Sequence, residues 1–406
     1  MSWQEFSIDS ISELVTKGTT PTTYGMPFTD EGVKFIKAEA LNGDSTLDSG
    51  GFNFVSEDTH EKLKRSQLQE NDVLVTIAGA NVGKCGIVNE RHLPANTNQA
   101  VGIVRVDSAR ACPRFIYYCF KNPATFRACQ SLGGQAAQPN INLTVLKNLV
   151  FRGPKDPRDQ ARIADFIAKY DSLIENNLRR IELLEESARL LYREWFVHLR
   201  FPGHEQVRIT DGVPEGWSQS SVGELSSYLN RGITPKYDEN GEFVVINQKC
   251  IRNRILSFEK ARKQSKEFSD EKKLQIGDVL VNSTGTGTLG RVAQVWDVLE
   301  KTCADTHVTI VRPSEEIPYL WLGYTLLGME KRLTDMGEGA TNQKELKRQY
   351  ISATPCVKPP HSLMELFHDT VLKNTKQIQN LIKTNKALAE ARDLLLPRIM
   401  AGELTV

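Results

Sequence analysis

The chain contains two similar halves, and this duplication constrains its fold more than any other feature of the sequence. Residues 71–88, NDVLVTIAGANVGKCGIV, resemble residues 277–295, GDVLVNSTGTGTLGRVAQV, about half a chain later. A shorter landmark recurs in step, since KGTTP at 17–21 matches RGITP at 231–235. Repeats of this length are duplicated domains rather than the short units of a solenoid. The sequence therefore predicts two similar globular heads.

A segment with heptad-spaced apolar residues follows each head. Between Gln160 and Phe196 the apolar residues alternate at spacings of four and three, interrupted by Asn177, and a similar pattern runs from Phe367 to Leu395. This spacing is typical of a coiled-coil seam, and the first helix would be about 55 Å long. The residues we assign to helix pairing are Ile174, Asn177, Ile181, Leu184, Leu191, Val371, Asn374, Ile378, Leu381 and Leu388.

An isolated helix of this kind could equally belong to an ordinary helical bundle. Because each of the two helices follows a copy of the same head, mutual antiparallel pairing related by a pseudo-two-fold axis is favoured. Asn177 and Asn374 are assigned to equivalent seam positions. A buried asparagine at such a position usually fixes register and pairing.

These patterns predict an α+β fold with two mixed α/β heads, each followed by a long helix, and the two helices pairing as an antiparallel coiled coil. In the first head we expect strands at Val73–Ile77 and Val101–Val106 and a helix at Pro113–Asn122. GPKDP at 153–157 closes this head, and VPEGW at 213–217 opens the second. The domain assignment is head 1 at 1–155, a central spacer helix at 156–200, head 2 at 201–358 and a distal spacer helix at 359–406.

Composition sets the outer limits. A chain of 406 residues, 25% charged and 40% hydrophobic, is that of an ordinary globular protein with two or three domains. The sequence has neither a run of about 18 apolar residues nor a secretory leader, so we expect a cytoplasmic protein. Its seven scattered cysteines lack any Cys-x-x-Cys pair and are expected to be reduced thiols. The net charge of +1 argues against a uniformly basic nucleic-acid binder, so a DNA-binding role needs local basic loops or partner contacts.

Gly285–Gly290 matches the G-x-G-x-x-G pattern, which would indicate a dinucleotide fold if it opened a helix. The first copy argues against that interpretation, because the residues after Gly83 include Gly86 and have the pattern of a short strand. We therefore predict a strand, a glycine turn and a second strand in both copies.

The sequence also lacks a P-loop, a Gly-x-Ser-x-Gly elbow, a metal-type histidine spacing and the Asn/Asp-Pro-Pro-aromatic cluster of methyltransferases. A non-enzymatic protein is favoured, and a nucleotide-binding enzyme that uses Gly285–Gly290 is the alternative.

Four motifs together resemble the specificity subunit of type I restriction-modification systems. They are VPEGW at 213–217, the GDVLV strand at 277–281 with its glycine turn, QPNI at 138–141 and RDLLLP at 392–397. The resemblance extends over essentially the whole chain, including the order of heads and helices. It implies that each head is a target-recognition domain for one half of a split DNA sequence. It also implies that the paired helices set the gap and dock methyltransferase subunits.

The same resemblance implies the partners and cofactors. The partners are double-stranded DNA, two methyltransferase (M) subunits and restriction-translocation (R) subunits, with no membrane. S-adenosylmethionine, ATP and magnesium would belong to those subunits, and none to this chain. Methyltransferase subunits that share the phosphate contacts would also account for the modest net charge.

Residues that contact DNA can be predicted only from side-chain chemistry. Arginine and lysine match the acceptors of guanine, and asparagine and glutamine match the donor and acceptor pair of adenine. The loop candidates in the first head are Lys37, Asn81, Lys84, Asn98, Gln99, Gln135 and Gln138. Those in the second are Asn247, Gln248, Lys249, Thr286, Arg291, His307, Asn342 and Gln343. Each of them could instead be an ordinary solvated loop residue.

Overall fold

The computed structural model describes residues 2–41, 47, 52–133, 140–298, 300–339 and 344–404. It divides into two compact units. The first consists of Met1–Asn177 and Thr384–Val406, and the second of Leu178–Lys383. Each unit therefore contains one head and one segment of each long helix.

Strands of the first unit form an antiparallel four-stranded sheet, a three-stranded sheet and a two-stranded sheet. They are β1 (Trp3–Ser7), β2 (Ser12–Lys17), β3 (Val33–Ile36), β4 (Phe52–Val55), β5 (Val73–Thr76), β6 (Cys85–Ile87), β7 (Ala95–Thr97), β8 (Val101–Val106) and β9 (Val150–Pro154). The sheet orders are β2-β8-β5-β6, β4-β3-β7 and β1-β9. All four residues of β5 are buried, which explains why its sequence, VLVT, is almost wholly apolar.

The helices of the first unit are α1 (Ile8–Ile11), α2 (Glu57–Lys62), α3 (Pro113–Lys121), α4 (Pro123–Leu132), α5 (Leu143–Lys147) and α6 (Pro157–Tyr192). Among them, α3 and α5 pack on the four-stranded sheet of that unit. Pro113 begins α3, where its missing N–H has no intrahelical acceptor to lose. The predicted strands at 73–77 and 101–106 and the helix at 113–122 are confirmed within a residue at each end.

The second unit repeats the architecture of the first. Its strands are β10 (Ile209–Thr210), β11 (Val213–Pro214), β12 (Ser218–Ser221), β13 (Ser226–Arg231), β14 (Phe243–Ile246), β15 (Ile251–Arg252), β16 (Ile255–Leu256), β17 (Arg262–Gln264), β18 (Val279–Asn282), β19 (Val292–Gln294), β20 (Thr302–Ala304), β21 (Val308–Pro313) and β22 (Pro355–Lys358). Its helices are α7 (Tyr319–Gly328), α8 (Glu330–Asp335), α9 (Arg348–Ser352) and α10 (His361–Met400).

Sheet topology confirms the duplication predicted from the sequence. The orders β13-β21-β18-β19, β17-β14-β20 and β12-β22 correspond strand by strand to the three sheets of the first unit. In each copy the middle strand of the three-stranded sheet has one antiparallel and one parallel neighbour. The same register shift recurs, at Ser12 in β2 and at Ser226 in β13.

A buried ion pair recurs in both sheets and is a further mark of the duplication. Asp72 accepts two hydrogen bonds of 2.8 Å from the Arg105 guanidinium, and Asp278 accepts bonds of 2.7 and 2.8 Å from Arg312. Burial raises the pKa of Asp278, and the bidentate arginine opposes that rise. Each pair joins a loop at the start of one central strand to the neighbouring strand.

Within each unit, the segments of the two long helices pack against each other in antiparallel orientation. In the first, Ile163 and Ile167 of α6 share a core with Leu396 and Ile399 of α10. In the second, Ile181 of α6 packs with Ile378 and Leu381. Residue numbers rise along one helix as they fall along the other, so the predicted antiparallel pairing is confirmed.

Of the residues assigned to helix pairing, those that are buried are Ile174, Asn177, Ile181, Val371, Ile378 and Leu381. The half-buried ones are Leu184, Leu191, Asn374 and Leu388. The first helix departs from its prediction at one end, because α6 stops at Tyr192 and a π-helical turn covers Arg193–Val197. That turn accommodates Trp195 and Phe196, whose rings lie 6.2 and 5.3 Å from the ring of Phe367. In the described part of the chain, no helix is long and apolar enough to cross a membrane.

Candidate nucleic-acid interface

Three loops meet at one end of the sheets in each unit, and two glycines allow the close approach. A Cβ at Gly18 would lie 2.1 Å from the Thr97 carbonyl oxygen, and one at Gly232 would lie 1.9 Å from that of Ala304. These glycines follow β2 and β13, and the carbonyls end β7 and β20. The end of β5 joins them through the Ile77 N–H, which donates to the Ala100 carbonyl at 2.8 Å, and in the second unit the Ser283 N–H after β18 donates to the His307 carbonyl at 2.8 Å. Equivalent loops therefore converge in both heads.

Glycine turns follow β5 and β18 and lie at this same end. Gly79 and Gly83 have φ of 96° and 91°, and Gly285 and Gly290 have φ of 106° and 77°, values that favour glycine. Each turn leads into an antiparallel strand, β6 or β19, which confirms the strand, turn and strand prediction. The residues after Gly290 form strand β19, so the G-x-G-x-x-G pattern opens no helix. The nucleotide-binding enzyme interpretation thereby loses its structural basis.

The structure brings the described candidates of the second head into two surface concavities. The first, here the Lys249 concavity, is lined by Tyr237, Asn247, Gln248, Lys249, Arg262 and His307, among others. The second, here the Arg291 concavity, is lined by Gly285, Thr286, Gly287, Arg291, Lys331 and Lys344, among others. All six described candidates of this head thus lie in one concavity or the other.

Asn247 and His307 have different situations within the Lys249 concavity. Asn247 is buried, and its amide donates to the Lys260 carbonyl at 2.8 Å and accepts from the Lys249 N–H at 2.9 Å. It therefore shapes the loop that carries Lys249. His307 is exposed, and its Nδ1 lies 2.6 Å from the Thr284 hydroxyl, which leaves Nε2 for another partner. Burial raises the pKa of Asp305, which accepts a 2.8 Å bond from the His307 N–H.

The described candidates of the first head lie on the corresponding loops. Lys37 lies next to the Phe28 ring, with its Nζ 4.3 Å from the centroid, and Gln99 accepts a hydrogen bond from the Thr20 hydroxyl. Asn81 is exposed and Lys84 half-buried in the glycine turn. The buried Oδ1 of Asn98 has no hydrogen-bond partner among the described residues. The remaining candidates lie outside the described residues; they are Gln135, Gln138, Asn342 and Gln343.

Charge at the Arg291 concavity is predominantly positive. Arg291, Lys331 and Lys344 line it, and Glu330 is the carboxylate among its described lining residues. That carboxylate is already bonded, because it accepts from the Val292 N–H at 2.9 Å and from Arg254 Nε at 3.1 Å. The near-zero net charge of the chain therefore conceals a local basic surface, which attracts phosphate.

Sequence reasoning missed several residues of these surfaces. Lys331 and Lys344 reach the Arg291 concavity from segments that carry no recognition pattern. Arg262 lies over the Tyr237 ring, with its guanidinium carbon 3.5 Å from the ring centroid. The basic run at 260–263, KARK, is the one local signal that points to Arg262.

A buried polar network joins the first head to both long helices. Asp171 of α6 accepts from Arg392 of α10 at 2.6 Å, from Tyr118 of α3 at 2.8 Å and from Lys121 of α3 at 3.2 Å. Burial lowers the pKa of Lys121, and the adjacent Asp171 carboxylate opposes that change. Six residues further along α6, the Asn177 amide donates to Asn385 at 2.8 Å.

The corresponding place in the second unit is aromatic. Tyr192, Tyr324 and Phe367 pack there with ring centroids 5.7 to 6.4 Å apart. The two heads thus attach to the helices through different chemistry, although their sheets are alike.

Comparison with known proteins agrees with this architecture. Residues 1–186 match the family model described as the type I restriction modification DNA specificity domain. The specificity subunit of the type I restriction enzyme MjaIX of Methanocaldococcus jannaschii is 25% identical over 420 residues, covering 100% of this chain and 94% of the relative. The specificity subunit of the HindI enzyme of Haemophilus influenzae is 23% identical over 344 residues, covering 66% of this chain and 71% of the relative.

A solved structure has the same fold. The crystal structure of the S subunit of a type I restriction-modification system from M. genitalium has a TM-score of 0.57 and 16% sequence identity, covering 97% of this chain and 95% of that one. Duplicated heads that are joined to paired helices are the architecture that this chain shares with that structure. Residues 1–186 therefore match the type I DNA specificity domain, and the whole chain is similar in sequence to specificity (S) subunits, which are parts of type I restriction-modification systems.

Proposed function

We propose that each head reads one half of a bipartite double-stranded DNA target and that α6 and α10 set the distance between the half-sites. In this proposal the heads are residues 1–155 and 201–358, and the spacer helices are 156–200 and 359–406. The observation that carries it is the convergence of equivalent loops at the same end of equivalent sheets. Duplicated readers with different side chains on the same loops would recognise two different short sequences.

The assembly proposed around this chain contains two methyltransferase subunits and restriction-translocation subunits. S-adenosylmethionine, ATP and magnesium would be bound by those subunits, and the complex would act on DNA in the cytoplasm. Exposed leucines along the helices support a docking role, because they present apolar surface that a partner would cover. They are Leu173, Leu178, Leu183, Leu190, Leu366 and Leu394.

Methylation mapping tests the proposed function. The chain would be co-expressed with the methyltransferase subunit of its own system in a host that lacks both, and the host genome mapped for modified bases. We expect a motif of two short specified sequences separated by a fixed unspecified gap. A single continuous motif, or no modification by a methyltransferase that is active with another specificity subunit, would contradict the proposal.

Replacing both Arg291 and Lys331 by alanine is expected to weaken binding to target and random DNA equally. Both side chains lie on the basic Arg291 concavity, where we assign them to phosphates. The loss of two phosphate contacts should reduce the slope of log K against log salt concentration by about two. Fluorescence anisotropy of the assembled complex over a salt series measures this slope.

The matched control for that experiment is Lys386→Ala. Lys386 is a lysine on α10 whose side chain is 79% exposed, and it lies 4.0 Å from Glu390. Its replacement should leave both affinity and salt slope unchanged. If the double variant instead lost affinity for the target alone, its residues would be base readers and the phosphate assignment would be wrong.

A further inference from the structure

We propose that Arg262 is a specificity-determining residue of the second head and that its guanidinium reads a guanine in the major groove. This inference rests on the proposed function and assigns a residue to it. Arg262 begins β17 and is exposed, and its guanidinium carbon lies 3.5 Å from the centroid of the Tyr237 ring. The two side chains form one wall of the Lys249 concavity, which also contains Gln248 and His307.

The backbone beneath this pair is held firmly. Arg262 pairs with Val245 in the sheet, and Tyr237 forms an antiparallel bridge with Gln264. The buried Gln264 amide bonds the Lys266 N–H at 2.7 Å and the Lys266 carbonyl at 2.6 Å. A guanidinium that packs on a ring carried by paired backbone has fewer conformations to lose on binding than an unsupported one.

Electrostatics indicates that the partner of Arg262 lies outside the chain. Three other arginines of the same unit each have a carboxylate partner: Arg231 is 2.7 Å from Glu345, Arg254 is 3.1 Å from Glu330, and Arg312 is 2.7 Å from Asp278. Among the described residues, no carboxylate forms a salt bridge with Arg262. Its planar donors are therefore available to an external acceptor.

The charges around Arg262 are mixed, unlike the predominantly positive Arg291 concavity. Arg262 lines an adjoining groove with Asp238, Glu239 and Lys263, and the Lys249 concavity contains Glu259 and Asp305 beside Lys249 and Lys260. A phosphate at this place would meet carboxylates as well as cations, whereas the neutral edge of a guanine would not be repelled by either. The guanidinium fork matches the O6 and N7 acceptors of guanine and can bond both at once.

Arg262→Lys is the sharpest test, because it keeps the positive charge and removes the planar fork. Binding of the assembled complex is measured on its mapped target and on random DNA. We expect target affinity to fall by about 5- to 150-fold, with random-DNA affinity unchanged. Tyr237→Phe, which keeps the ring, should behave as the unsubstituted complex, and Tyr237→Ala should lose part of the target affinity. Equal loss on target and random DNA, or no loss on either, would overturn the proposal.

Modified DNA identifies the contacted base. Each guanine of the second half-site is replaced in turn by 7-deazaguanine, which lacks the N7 acceptor. One position should weaken binding by the unsubstituted complex and add nothing to the loss caused by Arg262→Lys. Full additivity at every position, or a second half-site without guanine, would contradict the assignment. Such a result would leave the proposed function standing if the mapped motif is bipartite, whereas a continuous motif would remove the proposed function itself.

Discussion

Replacing Asp171 by leucine is expected to lower the free energy of unfolding by about 3–5 kcal/mol. The Arg392 side chain is 4% exposed and that of Lys121 is 7% exposed, and both pair with the Asp171 carboxylate. Without it, the buried Lys121 loses its carboxylate partner, and Arg392 is left with Asp393, whose side chain is 54% exposed. Urea unfolding followed by circular dichroism measures the change.

Asp165→Leu is the matched control, because it removes an aspartate from the same helix. Asp165 pairs with Arg114 at 2.8 Å, but the two side chains are 64% and 50% exposed. An exposed pair of this kind contributes only about 0–1 kcal/mol. A loss with Asp171→Leu no larger than that of the control would contradict the importance given to the network.

An apolar replacement of the whole network gives a second check. Asp171→Leu combined with Lys121→Met and Arg392→Met removes all three charges together. Buried ion networks replaced by apolar residues of similar volume are often neutral or more stable, so most of the lost stability should return. We then expect the network to matter chiefly for the register between α6 and α10, which Asn177 and Asn385 also hold.

The repeat and the heptad spacing in the sequence were enough to predict the equivalent sheets and the paired helices. The repeat predicted equivalent sheets. VLVT at 73–76 and VLVN at 279–282 form the corresponding central strands of the two copies. Heptad spacing predicted the paired helices, because burial along a helix follows the same period. It did not predict that the partner of Asn177 would be Asn385, since antiparallel register depends on packing along the whole interface.

Contacts between distant segments were beyond such patterns. Asp171, Lys121 and Arg392 come from three separate helices, and only the folded chain places them together. Side-chain chemistry predicted that Asn247 contacts adenine, yet its amide is already bonded to the Lys249 N–H and the Lys260 carbonyl. The same chemistry passed over Arg262, because nothing local in the sequence shows that Tyr237 lies beneath it.

Lengthening both helices by one heptad should change the gap of the target and nothing else. The insertions belong between Asn177 and Leu178 in α6 and between Lys383 and Thr384 in α10, where the chain passes from one compact unit to the other. Contacts within each unit are then preserved, and a seven-residue insertion keeps the seam in phase. The helix pair should lengthen by about 10.5 Å. At about 3.4 Å per base pair, this corresponds to roughly three additional base pairs.

A four-residue insertion at the same positions is the control for the phase of the seam. Four residues rotate the seam away from the partner helix, so this variant should fold or assemble poorly. Its failure beside a working heptad variant would show that an insertion must keep the seam in phase, so that the heptad variant works through paired helices and not through mere tolerance of extra residues.

Genome-wide methylation mapping of the heptad variant is the measurement that tests the central claim most directly. If the helices are the ruler and the heads are the readers, both half-site sequences will be unchanged and the gap between them will be about three base pairs longer. An unchanged gap, or altered half-sites, would show that the paired helices do not set the spacing.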